Sequence, residues 1–181
     1  MIIFFGPAGA GKSVQGQMLA ARQQWRWLSA GQLLRDTHDI DLLHEMHAGK
    51  LIAPEKINEI MGAALVKATS ITQVILDGFP RTLEQAKWLV GSQPSHGRAI
   101  GFVIVLEVPR SELLKRLELR GRADDTMEAI SERLKIYRHE MYPILSYFTE
   151  QNINIVHIDG TGTVGQIHDR IMEELVACKL V

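Results

Sequence analysis

Met1-Ile2-Ile3-Phe4-Phe5-Gly6-Pro7-Ala8-Gly9-Ala10-Gly11-Lys12-Ser13-Val14-Gln15-Gly16-Gln17-Met18-Leu19 is the stretch whose reading decides the fold. A continuous apolar run of strand length, Ile2 to Phe5, enters a glycine-rich turn that ends in Gly-Lys-Ser, and a helix-compatible segment follows. In that context Gly-x-x-x-x-Gly-Lys-Ser reads as a phosphate-binding loop. Glycines let successive backbone N–H groups converge on one anion, the helix N-terminus adds its dipole, and Lys12 supplies a mobile point charge for the terminal phosphates. The plainer reading is a glycine-rich turn with a surface lysine, and the buried strand directly before it argues against that.

Outward from this stretch, apolar runs recur at Trp25–Leu28, Val74–Leu76, Ile100–Val108 and Ile153–Ile158, each followed by a helix-like segment. Alternating strands and helices predict an α/β domain whose parallel sheet is covered on both faces, with its ligand at the carboxyl ends of the strands. The helices carry their own signals. Pro54 and Glu55 open one, and Thr82-Leu83-Glu84-Gln85 fits a capping box at the start of another. Met127, Ile130, Leu134, Tyr137 and Met141 form one apolar stripe, and Val164, Ile167, Ile171 and Leu175 form another.

The 181 residues suit one domain with a real core, and the formal net charge of −1 leaves no electrostatic footprint for nucleic acid or an acidic membrane surface. Cys178 is the sole cysteine, so neither a disulfide framework nor a thiolate zinc cage is expected. No apolar run reaches membrane-span length, and Met1 to Phe5 is too short for a signal-peptide core. The expectation is a full-length, soluble, cytoplasmic protein. Without a heptad seam or a large apolar surface stripe, it is expected to be a monomer.

Two further stretches carry chemistry. Val74-Ile75-Leu76-Asp77-Gly78-Phe79-Pro80-Arg81 is an apolar strand ending in an aspartate, where a phosphate-loop protein places the carboxylate that orders a magnesium ion or its waters. Asp77 would otherwise be a turn former. The second is an arginine cluster, Arg116, Arg120, Arg122 and Arg133, with Asp124 and Asp125 among them. Phosphoryl transfer asks for planar donors around the migrating group and exclusion of water, a task arginine forks suit. A solvated helix face is the alternative, because nearby carboxylates nearly balance the charge.

In order along the chain these motifs resemble adenylate kinase and the wider nucleoside monophosphate kinases. Gly6–Ser13 resembles their phosphate loop, and Leu28-Ser29-Ala30-Gly31-Gln32-Leu33-Leu34-Arg35 and Gly49-Lys50-Leu51-Ile52-Ala53-Pro54-Glu55 resemble their monophosphate-site motifs. Asp77-Gly78-Phe79-Pro80-Arg81 is similar to the family's most diagnostic motif, and Arg120-Gly121-Arg122-Ala123-Asp124-Asp125 is similar to its lid, with Arg133 as a third lid arginine. The resemblance implies a three-layer phosphate-loop fold with five parallel strands in the order 2-3-1-4-5 and a single kinase domain. Within it, a core over 1–29, 61–115 and 127–181 would carry a monophosphate-binding insertion over 30–60 and a short lid over 116–126.

The implied reaction is ATP + AMP ⇌ 2 ADP with magnesium and without zinc. ATP and AMP are then the partners, with UMP or CMP as alternative acceptors and a nucleotide-binding module with impaired transfer as the non-enzyme alternative. By the same resemblance Gly9, Ala10, Gly11, Lys12, Ser13 and Val14 hold the ATP phosphates, while Arg116 and Gly162 lie at its base. Arg35 and Arg81 hold the monophosphate, with Ala30, Ile52, Gly78 and Gln85 around it. Lys12, Arg81, Arg120, Arg122 and Arg133 are the catalytic set, Ser13 and Asp77 face the metal through water, and Asp124 and Asp125 orient the lid arginines.

The sequence also departs from the family pattern. Gln32 stands where the family has aspartate, Ser13-Val14 where it has Gly-Thr, and Ala30 where adenylate kinases frequently have threonine. The lid lacks a few residues that even short-lid relatives carry, which predicts ATP hydrolysis in the absence of an acceptor. Lesser candidates have structural readings: His44 and His47 lack a third metal ligand, and Trp25 and Trp27 pack on one sheet face. Tyr137, Tyr142 and Tyr147 are expected at the core edge, and His157 as a satisfied interior imidazole.

Overall fold

In the computed structural model, which describes residues 1–48, 50–122 and 125–181, the opening stretch forms strand β1 (Ile2–Phe5) and helix α1 (Lys12–Gln23). All of β1 is buried. Its side chains divide by the two-residue period of a strand, with Ile3 and Phe5 entering one hydrophobic core and Ile2 and Phe4 the other. Strand β4 (Phe102–Glu107) divides likewise, Val103 and Val105 against Phe102, Ile104 and Leu106. With β2 (Arg26–Ser29), β3 (Val74–Asp77) and β5 (Asn154–Asp159) they build a five-stranded sheet in the order β2-β3-β1-β4-β5. Each pairing is parallel. The three-layer α/β architecture and the strand order that the resemblance implies are therefore both present.

Helices α2 (Ala30–Asp36), α3 (Ile40–His47) and α4 (Pro54–Lys67) follow β2, and α5 (Leu83–Gly91) with the short α6 (Gln93–His96) follows β3. Helix α7 (Arg110–Arg120) and the long α8 (Met127–Glu150) follow β4, and α9 (Val164–Ala177) closes the chain. Pro54 occupies the first turn of α4, as read from the sequence. Helices α4 and α7 run unbroken through positions 60 and 116.

Several side chains sit differently from their sequence reading. Met127 and Val164 are 65% and 47% exposed, because each is the first residue of its helix and the apolar stripe meets the core one turn later. Tyr142 is also exposed, whereas Tyr137 and Tyr147 pack against the core. His157 lies on the outer face of edge strand β5, where Nδ1 meets Glu107 Oε1 at 2.7 Å, so it is a surface imidazole. The buried imidazoles are His96 and His168. Trp25 and Trp27 are each partly buried against the same core, as their spacing suggested.

Candidate active site

The site begins where β1 ends. Gly9 and Gly11 take positive φ values of +85° and +96°, which allows the loop to curl back over the start of α1. At Gly9 the curl is seated on α7: a Cβ there would lie 3.0 Å from Leu117 Cγ and 3.1 Å from the Leu113 carbonyl oxygen. Lys12 Nζ is held inside, donating to the carbonyl oxygens of Gly6 (2.8 Å) and Pro7 (2.9 Å). Removal from water lowers the pKa of this ammonium to about 8; Asp77 opposes the shift, and the charges of Arg81 and Arg120 reinforce it. Parallel register sets Asp77 beside Phe4, just before the loop. Its carboxylate, 3% exposed, accepts a 2.5 Å hydrogen bond from Ser13 Oγ.

The arginines come from different elements. Arg35 on α2 donates from Nη2 to Gln32 Oε1 (3.2 Å), and Gln32 in turn donates from Nε2 to Asp36 Oδ1 (2.7 Å). Arg81 folds back onto the Gly78 carbonyl through Nε (2.9 Å). Its backbone N–H donates to Gln85 Oε1 (2.7 Å). This corrects the capping box: Thr82 Oγ1 does accept from the Gln85 N–H, but the Gln85 side chain reaches Arg81 rather than the Thr82 N–H. Past α7, Asp125 gathers the arginines that the sequence reading expected in a lid. It accepts from Arg120 Nε (2.7 Å) and Nη2, from the Arg122 N–H (3.4 Å) and from Arg133 Nη1 (3.4 Å). Arg133 also donates from Nη2 to the Met46 carbonyl at the end of α3 (3.0 Å). Arg116 pairs with Glu112 one turn earlier on α7 (Nε to Oε1, 2.9 Å). Asp124, expected to help orient the lid, lies outside the described residues, as does Gly49.

These groups surround one cavity of about 560 Å³ at the carboxyl ends of the strands, a volume suited to a small-molecule site. Lys12, Arg35, Arg81, Arg116, Arg120, Arg122 and Arg133 all line it, as do Gly9, Gly11, Ser13, Val14, Ala30, Ile52, Asp77, Gly78, Gln85 and Gly162. Ala10, within the loop, is fully buried in one hydrophobic core, and Asp125 stands behind the arginines with its side chain 3% exposed. The wall includes residues to which the sequence reading gave no site role, among them Gln15, Lys50, Glu112 and Val164. Val164 was masked by its place in an apolar stripe. Gln15 had a visible signal, a polar residue next to Gly16 on the buried face of α1.

Over residues 4–153 the sequence matches the family described as adenylate kinase. The chain belongs to the adenylate kinase family. It is 35% identical to a protein of Mycolicibacterium paratuberculosis named adenylate kinase, over 94% of this chain and 96% of that one. Adenylate kinases of Mycobacteroides abscessus (36% identical; 96% and 98% covered) and Thermus thermophilus (35%; 96% and 96%) are similar to the same extent. Set in an adenylate kinase, the departures noted in the sequence have definite places. Gln32, the replacement for aspartate, spends its amide on Arg35 and Asp36. Ala30 is buried at the start of α2 and still reaches the cavity wall. His44 and His47 are exposed on α3, and no group of three or more His, Cys, Asp or Glu side chains suited to a metal ion occurs among the described residues. No described helix is long and apolar enough to cross a membrane.

Proposed function

We propose that the protein transfers the terminal phosphoryl group of ATP reversibly to AMP, giving two molecules of ADP. The observation that carries this is the convergence of Lys12 and six arginines, from five separate segments, on the wall of one cavity. In this reading an ionised oxygen of the acceptor's phosphate attacks the terminal phosphorus of ATP. A P–O bond forms there while the bond to the bridging oxygen breaks, and ADP leaves. No general base is needed, because the nucleophile is already an anion. Catalysis then consists of positioning and of stabilising charge spread over the migrating group.

Lys12 and the amides of 9–14 hold the donor phosphates, with Arg116 and Gly162 at the donor base. Arg35 and Arg81 hold the acceptor phosphate, and Ala30, Ile52, Gly78 and Gln85 border the acceptor nucleoside. Arg120, Arg122 and Arg133 close over the migrating group, with Asp125 fixing their direction. The insertion over 30–60 and the lid over 116–126 are the parts that swing inward to expel water. Ser13 Oγ and the Asp77 carboxylate are hard oxygen donors side by side at the phosphate loop, a set that fits a hydrated magnesium ion. When bound with ATP, that ion would neutralise phosphate charge. A monomer working in the cytoplasm belongs to the same reading, and light scattering on the purified protein checks the monomer.

The test is a panel of AMP, UMP, CMP and GMP as acceptors with ATP and magnesium in a coupled ADP assay. Lys12→Ala and Arg81→Ala serve as controls. AMP should be the preferred acceptor, and both substitutions should abolish turnover. Preference for a pyrimidine monophosphate would transfer the assignment to that branch, and ATP binding without turnover on any acceptor would overturn it.

A further inference from the structure

Where Gln15 and Val164 border the cavity, α1 and α9 are joined by a polar contact that the phosphoryl-transfer scheme does not use. Gln15 on α1 and His168 on α9 are each 2% exposed. Gln15 Nε2 donates to the Val164 carbonyl oxygen at 2.9 Å, and Gln15 Oε1 lies 3.1 Å from His168 Nδ1. The chemistry fixes every proton. A carbonyl only accepts, so the amide must present its NH₂ to Val164 and its oxygen to the imidazole, and Nδ1 must then carry the hydrogen. Burial, helped by the charge of Arg22 and opposed by Asp169, lowers the His168 pKa and favours this neutral form. His168 Nε2 is left as a buried acceptor with no partner among the described residues. As mere packing between Ile167 and Ile171, an imidazole is a poor choice, since an aliphatic side chain would leave no orphaned nitrogen.

We propose that Gln15 and His168 are positioning residues for the donor nucleotide, a buried strut that fixes the phosphate loop relative to the loop receiving the donor base. This rests on the donor-site reading given above. Gln15 shares the first turn of α1 with Lys12 and Ser13, and its partner carbonyl, on Val164, follows directly on Gly162 and Thr163. The loop is held from its other side by the α9 capping box, in which Gln166 Oε1 accepts from the Thr163 N–H and Thr163 Oγ1 from the Gln166 N–H. Gly162 is pressed against it, since a Cβ there would lie 2.7 Å from Gln166 Oε1. One loop is thereby tied to both helices, and the span from phosphate to base is set before ATP arrives. His168 acts through Gln15 by holding its amide in the donating orientation.

The contrast between ATP and inorganic tripolyphosphate isolates this role, because tripolyphosphate engages the phosphate loop and not the base loop. Calorimetric titrations of both, with magnesium, are made on wild type, His168→Leu, His168→Asn and Gln15→Met, alongside KM for donor and acceptor. His168→Leu and Gln15→Met should each weaken ATP about tenfold while leaving tripolyphosphate within about twofold and the AMP KM unchanged. His168→Asn, whose side-chain NH₂ takes the place of Nδ1–H, should recover most of the ATP affinity. If His168→Leu does not fold, the other two variants decide. Equal weakening of both ligands, unchanged ATP affinity in Gln15→Met, or a His168→Asn as weak as Gln15→Met would each overturn the strut. A wild type that binds tripolyphosphate but gains nothing from the adenosine would instead overturn the donor-site reading beneath it.

Discussion

Replacing Asp125 by alanine should slow turnover far more than it weakens ATP binding. The carboxylate is nearly sealed from water and takes both a forked pair of hydrogen bonds from Arg120 and a longer one of 3.4 Å from Arg133. Charge-assisted hydrogen bonds are each worth about 1.5–3 kcal/mol where they are sheltered. The Arg120 side chain keeps 30% of its exposure, so its pair is discounted for screening, and the Arg133 contact is long. Orientation of the two guanidinium groups is then worth about 2–3 kcal/mol in total, which is roughly 30- to 150-fold in rate if it is realised in the transition state. Removing the carboxylate also leaves cations facing one another near Lys12, whose pKa already registers the Arg120 charge. Asp125→Asn keeps the shape and one acceptor, so it should lose about tenfold. The assay is steady-state kcat and KM in both directions, with a thermal melt to exclude unfolding. An Asp125→Ala enzyme that melts normally and keeps kcat within about threefold would show that the carboxylate does not orient these arginines for transfer.

The pH profile should report Lys12. Its pKa is lowered to about 8 in the free protein and only the ammonium binds phosphate, so kcat/KM for ATP should decline as pH rises through 8. A flat profile to pH 9.5 would contradict this. Stability moves the opposite way: the unfolded lysine keeps its proton up to about 10.5, so this group adds stability as pH rises from 8 to 10.5, measurable by urea unfolding. Gly9→Ala should unseat the loop from α7, because the new Cβ meets Leu117 and the Leu113 carbonyl at a φ of +85°. A loss of about 1–3 kcal/mol in unfolding free energy with weakened ATP binding is expected, and wild-type values for both would count against it. The short lid should admit water, so ATP hydrolysis without acceptor should exceed that of a Lys12→Ala control; equal rates would argue for a tight closure.

The fold was legible because the inner strands β1, β3 and β4 are buried on both faces and therefore read as unbroken apolar runs, as in Ile2–Phe5 and Phe102–Leu106. Ends were less legible. The run Ile100–Val108 overshoots β4, since Ile100 and Val108 are apolar residues that pack, partly buried, against the cores beyond the ends of the strand, and Trp25 is apolar without belonging to β2. Single side chains at helix starts misled for a related reason: periodicity assigns Met127 and Val164 to the core, but a first-turn residue lies beyond the packed length of the helix. The phosphate loop and Asp77 could be read because strand, glycine turn and helix are contiguous there. The meeting of Arg133 with Met46, or of Gln15 with His168, depends on distant segments brought together by packing, and no local spacing encodes it. His157 was misplaced because an edge strand has an outer face that its apolar neighbours conceal.

The proposed reaction requires that Lys12, Arg35, Arg81, Arg120, Arg122 and Arg133 grip a single polyphosphate. It is tested most directly by an experimental structure with a dinucleotide in which five phosphates join two adenosines. A side-chain nitrogen of every one of these residues should lie within hydrogen-bond distance, about 3 Å, of a phosphate oxygen, with Arg120, Arg122 and Arg133 drawn over the phosphate loop. A complex in which Arg120, Arg122 and Arg133 remain turned away from the phosphates would contradict it.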